Sequence, residues 1–138
     1  MYPDPRIPVG SWILVTGVNG MVASNIASLL LEMGYKMRGT VRNVEKASWM
    51  QEKFDKMYGK NSFELVSVAD LADEGAFDEA VKGVSGIAHV ASIVGHFDPN
   101  TGIPGVIDDA VNTLKSAAKE PSVKAFVYTS SSWSAANP

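Results

Sequence analysis

The chain has 138 residues, 46% of them apolar and 20% charged, with a net charge of −3. That is one ordinary globular domain, able to bury about two thirds of its unfolded surface. The mild negative charge argues against a broad nucleic-acid or anionic-membrane surface, and the absence of cysteine excludes disulfides and thiolate metal sites. A reducing compartment suits such a chain, and a cytoplasmic location is the expectation.

Residues 1–11 carry Pro3, Pro5 and Pro8 and no apolar segment, so they read as an N-terminal arm and not as a secretory signal. No apolar stretch approaches the ~20 residues of a membrane helix. From Ser11 the run Trp12-Ile13-Leu14-Val15-Thr16 has strand length and ends at Gly17. Val22, Ile26, Leu29, Leu30 and Met33 then recur with helical period from Met21 to Met33, and Gly34 closes that helix.

Tyr35 to Arg42 reads as a second strand. Met50, Phe54 and Met57 mark a second helix with Gly59 as its stop. Phe63 to Val68 is a third strand, and Phe77, Ala80 and Val81 mark a short helix ending at Gly83. A fourth strand covers Ile87 to Ala91, followed by a Gly/Pro-bearing loop from Ser92 to Pro104. Ile107, Ala110, Val111, Leu114 and Ala118 line a helix that Pro121 ends, and Val123 to Thr129 is a fifth strand.

Near-continuous apolar strands alternating with helices predict parallel strands covered on both faces. Right-handed crossovers then give an α/β, Rossmann-type doubly wound parallel sheet, ordered 3-2-1-4-5 and truncated after its fifth strand. On this reading residues 12–138 form an incomplete nucleotide-binding domain, and a substrate domain is absent.

The first strand runs into Thr16-Gly17-Val18-Asn19-Gly20-Met21-Val22-Ala23. Gly17 permits a tight turn, Gly20 lets backbone approach a diphosphate, and Ala23 keeps the following helix close to the sheet. The helix start directs free N–H groups and a positive dipole end toward the phosphates. Three small residues at this spacing also fit an ordinary strand–helix turn, but the βαβ setting favours a dinucleotide. No Gly-Lys-Ser/Thr follows, which rules out a P-loop.

An NAD-preferring site places an acid at the end of the second strand. Between Lys36 and Val44 there is none; Arg38-Gly39-Thr40-Val41-Arg42 stands there, with Lys46 a turn further on. Arg42 suits a 2′-phosphate, with Lys46 as a second cation, so NADP(H) is the expected cofactor. Solvated charges at a strand end are the alternative for Arg42 and Lys46, and Arg38 is assigned to it. The missing acid also disfavours FAD and S-adenosylmethionine.

With Thr16-Gly17-x-x-Gly20, Arg42, Asp70-Leu71, Gly86-Ile87-Ala88-His89-Val90-Ala91-Ser92 and Phe126-Val127-Tyr128-Thr129-Ser130-Ser131 in order, the sequence resembles the extended short-chain dehydrogenase/reductases, an epimerase/dehydratase-like family. Within them it is similar to fungal carbonyl (aldehyde) reductases and plant dihydroflavonol reductases. The resemblance implies that Asp70 bonds the adenine amino group and that Leu71 lies beside the ring. It implies that Val90, Ala91 and Ser92 line the ribose side. Asn112 matches an asparagine used near the catalytic lysine, although Asp109-Ala110 replaces the usual small-Thr pair before it. Ser131 matches the serine that polarises the substrate carbonyl.

The residues also allow plainer readings. Asp70 suits a turn or cap, His89 a satisfied core histidine, His96 a loop position, and Ser130 to Ser132 a polar strand terminus. The family's proton donor is a tyrosine with a lysine four residues later. Tyr2, Tyr35, Tyr58 and Tyr128 are followed at that distance by Arg6, Gly39, Ser62 and Ser132. The resemblance thus implies an NADPH-dependent reductase of aldehydes or ketones, with this chain supplying the cofactor half and inactive alone. A non-catalytic NADP-binding module is the alternative. So is an interaction fragment that self-associates through the edge strand Ala125 to Tyr128.

Overall fold

The computed structural model describes residues 5–93 and 98–132. The expectation for His96 lies outside them, as do the ends of the arm (residues 1–4) and of the chain (133–138). The elements run β1 (Trp12–Val15), α1 (Met21–Glu32), β2 (Lys36–Val41), α2 (Val44–Tyr58), β3 (Phe63–Ser67), β4 (Gly86–His89), α3 (Pro99–Lys119) and β5 (Ala125–Tyr128). The five strands form one sheet in the order β3-β2-β1-β4-β5, and every pairing is parallel. This is the Rossmann-type order expected from strand–helix alternation with right-handed crossovers.

Successive side chains of a strand point to opposite faces, and β1 divides the core accordingly. Ile13 and Val15 pack with Ala23, Ala27 and Leu31 of α1, and with Ala47, Met50 and Phe54 of α2. Leu14 and Ile87 pack on the other face with Phe77, Ala80, Val81, Val84 and Ala117. Helices α1 and α2 thus cover one face, and the 71–84 segment with α3 covers the other.

Three expectations about elements are corrected. Residues 71–83 form a chain of turns and not a short helix, although Phe77, Ala80 and Val81 are buried as the pattern required. Turns bury an apolar cluster equally well when Gly75 and Gly83, at φ +75° and +71°, reverse the backbone on either side of it. Helix α3 starts at Pro99, inside the expected loop, with the Asp98 side chain accepting from Asn100 N–H and Pro99 in the first turn. Pro104 lies inside the helix, at its sixth residue, where it withholds one main-chain donor but does not end the helix; reading it as a breaker places the helix start too late.

The third correction concerns helix phase. In α1 the buried residues are Ala23, Ala27 and Leu31; of the expected stripe Ile26 and Leu30 pack against the core, while Val22, Leu29 and Met33 are exposed. Close approach to the sheet selects the small side chains for the inner face. In α3 the inner face is Asp109, Asn112, Thr113, Ser116 and Ala117, and Ile107, Val111 and Leu114 face outward.

Candidate functional site

All five strands end on one rim. The residues just beyond β1, β2, β3, β4 and β5 (Gly17, Arg42, Val68, Val90 and Thr129) line a single cleft of about 700 Å³. The cleft lies where β1 and β4 diverge in connection, the switch point at which open α/β sheets place ligands. Gly17, Asn19, Gly20, Met21 and Val22 form one side, Arg42 and Lys46 another, and Leu71, Val90, Ala91 and Ser92 the rest.

The first turn is shaped by two glycines. Gly17 has φ +64°, and a Cβ there would lie 3.0 Å from Ala91 Cβ. Gly39, on β2, leaves room for Val18, which is fully buried; an added Cβ would lie 2.8 Å from Val18 Cβ and closer still to Cγ1. Thr40 completes the turn, its Oγ1 accepting from Gly17 N–H at 3.1 Å and its carbonyl from Val18 N–H at 3.0 Å. Helix α1 then opens at Gly20 with no side-chain cap and no acid in its first turn. Its leading N–H groups have no intrahelical acceptor, and the dipole end is positive. That cradle fits a diphosphate.

Arg42 and Lys46 are exposed at the cleft, and among the described residues neither forms an ion pair with a carboxylate. Arg38 behaves differently and corrects its assignment as a solvated charge. Its guanidinium pairs with Glu64, donates to the carbonyls of Ala80 (2.8 Å) and Lys82 (2.7 Å), and lies over Trp12. It fastens β2 to β3 and to the 80–82 turn, away from the cleft.

Asp70 and Asn112 are the expected residues that do not line the cleft, together with Ser131. Asp70 Oδ1 accepts from Ala72 N–H at 2.9 Å, while Asn112, buried on α3, donates through Nδ2 to Ala72 O at 2.6 Å. Both sides of Ala72 are thus held, next to Leu71 in the cleft wall. Ser131 is exposed two residues beyond Thr129, whose N–H bonds His89 O at 2.9 Å.

Thr40, Asn43, Ala47, Val68 and Thr129 line the cleft but were not singled out by sequence. Asn43 had a readable signal. It stands just before α2 and caps it, accepting from Lys46 N–H at 2.9 Å.

A parallel 3-2-1-4-5 sheet with this turn and this cleft over its strand ends defines a Rossmann-type domain. The chain belongs to the 3-beta hydroxysteroid dehydrogenase/isomerase family, whose sequence model matches residues 14–138. It is 44% identical over 133 residues to aldehyde reductase 2 of Sporidiobolus salmonicolor, covering 96% of this chain and 38% of that protein. It is 46% identical over 125 residues to the ketoreductase nvfG of Aspergillus novofumigatus, covering 90% and 36%. Among solved structures it is similar to yeast methylglyoxal/isovaleraldehyde reductase Gre2 complexed with NADPH. That likeness has a TM-score of 0.76 and 29% identity, over 87% of this chain and 37% of that one. The chain therefore spans well under half the length of the relatives it matches.

Proposed function

We propose that this chain holds NADP(H) in the cleft and serves the reduction of an aldehyde or ketone. The observation that carries the reading is the convergence of separately inferred residues. Every expected cofactor residue except Asp70 lines one cleft over the strand ends. Gly17, Asn19, Gly20, Met21 and Val22 would cradle the diphosphate, with Arg42 and Lys46 on the 2′-phosphate. Asp70 and Leu71 would take the adenine, and Val90, Ala91 and Ser92 the ribose side.

Nicotinamide supplies the hydride in such chemistry; the protein supplies orientation and charge. Ser131 would polarise the carbonyl oxygen. Asn112, with one N–H committed to Ala72 O, keeps Oδ1 to accept from a lysine or a water. No tyrosine of the 138 residues has a lysine four positions later, so the polypeptide by itself binds NADPH without oxidising it. The reductase names of its relatives support the family-level activity.

Separate titrations with NADPH and NADH test the assignment. NADPH binds more tightly, and Arg42→Asp weakens it roughly tenfold to hundredfold, as loss of a charge-assisted pair implies, while leaving NADH unchanged. Equal affinities, unmoved by the substitution, defeat the 2′-phosphate reading.

Self-association is a second reading, favoured by β5. Among the described residues that strand pairs only with β4, and Val127 and Tyr128 are exposed. Sedimentation that shifts with protein concentration would support it.

A further inference from the structure

Beneath the cleft lies a buried polar chain that joins three elements. Thr16 directly follows β1, His89 ends β4 and Asp109 sits on the inner face of α3; all three are at most 1% exposed. Thr16 Oγ1 is 3.0 Å from His89 Nδ1, and His89 Nε2 is 3.3 Å from Asp109 Oδ1. That second contact is within ion-pair distance but is not aligned as a hydrogen bond, and neither atom has a hydrogen-bond partner among the described residues. Three rings pack on the imidazole: Phe77 edge-on, with Phe126 and Tyr128 stacked.

The proton positions follow from a donor count. Thr16 Oγ1 accepts from both Val90 N–H and Ala91 N–H, each at 2.9 Å. A hydroxyl has two lone pairs and one hydrogen, so the hydrogen is left for His89 Nδ1, which must accept it. The ring proton is then on Nε2 and faces Asp109. An imidazolium would bring a third donor to an oxygen with two lone pairs, and would displace Val90 or Ala91. So would the opposite neutral tautomer.

We propose that Asp109 is a positioning residue for the cleft. Acting through the His89 tautomer, it fixes the direction of the Thr16 hydroxyl and thereby keeps Val90 and Ala91 N–H groups on the end of β1. Both residues line the cleft, and Ala91 is the neighbour that approaches Gly17 most closely. The link to nucleotide affinity rests on the cofactor reading above; the tautomer does not.

The test combines ring ¹⁵N NMR, amide exchange and NADP⁺ titration on the full 138-residue chain, with His96→Gln to assign the two histidines. Wild type shows His89 protonated on Nε2 only. Asp109→Leu moves the proton toward Nδ1, speeds exchange at Val90 or Ala91, and weakens NADP⁺ about fivefold to tenfold, the scale of one buried hydrogen bond. Asp109→Asn, which keeps an acceptor, restores all three. Thr16→Val weakens NADP⁺ similarly, and the double variant falls no further than either single one, because both break one chain.

Wild-type His89 protonated on Nδ1 overturns the proposal even if Asp109→Leu does not fold. So does an unchanged ring pattern in a folded Asp109→Leu, or additive losses in the double variant. If wild type binds no NADP⁺ yet shows the expected ring and exchange patterns, the cofactor reading fails and the positioning of Val90 and Ala91 stands.

Discussion

At the level of single residues, the cleft depends on what is missing as much as on what is present. Gly39 exists so that Val18 can sit on β2, and the turn that carries Asn19 and Gly20 rests on that contact. Gly39→Ala forces a methyl group into a β-branched side chain that has no rotamer escape. It is expected to destabilise the fold by about 2 kcal/mol, in the range of overpacked cores, and to weaken NADPH in parallel. Urea unfolding and cofactor titration measure the two effects; unchanged stability would mean that Val18 repacks freely. The sequence made Gly17 and Gly20 legible because they belong to a known spacing. Gly39 was not, because its requirement comes from Val18, which is 21 positions earlier and meets it only in the fold. His89 was legible as a core histidine, but its Asp109 partner was invisible for the same reason.

At the level of elements, strands were easier to read than helix faces. Each β-run is placed to within a few residues, and for the inner strands β1, β2 and β4 the reason is that both sides are largely buried, so the apolar signal needs no phase. Helix phase failed where the covering surface differs from the usual one. In α1 the inner face takes Ala23 and Ala27, and in α3 it takes polar side chains that find partners. Ser116 Oγ donates to Asp78 Oδ1 at 2.5 Å and Lys119 Nζ lies 2.9 Å from Asp78 Oδ2, tying α3 to the 71–83 turns. The Ser116 hydrogen bond first, and then Lys119, hold the Asp78 carboxyl below its ordinary value of 3.8. A depressed folded-state pKa contributes stability that is present above the unfolded value and is lost as pH falls through the folded one. Asp78→Asn is therefore expected to lower the melting temperature at pH 7, with the gap to wild type closing below about pH 4. Thermal melts from pH 7 to pH 3 decide it; a gap independent of pH would assign the effect to packing alone.

Across the whole molecule, topology and cleft were the most legible features. Alternating strands and helices admit few connections once crossovers are right-handed, and the strand order then dictates where a ligand fits. Asp70 and Asn112 mark the limit of that logic. Both were named for a ligand, yet each spends a polar atom on Ala72, one at the amide and one at the carbonyl. Asn112→Ala should accordingly loosen the 70–72 turn, seen as faster amide exchange at Ala72, whatever its effect on chemistry. The outward stripe of α3 has a physical consequence as well. Ile103, Ile107, Val111 and Leu114 show water a ridge of aliphatic groups that a soluble helix would ordinarily hide. A fluorescent probe such as anilinonaphthalene sulfonate should light up on that ridge in the native protein, before any heat or denaturant. Charged replacements at 107 and 114 should quench the signal and raise the salting-out threshold.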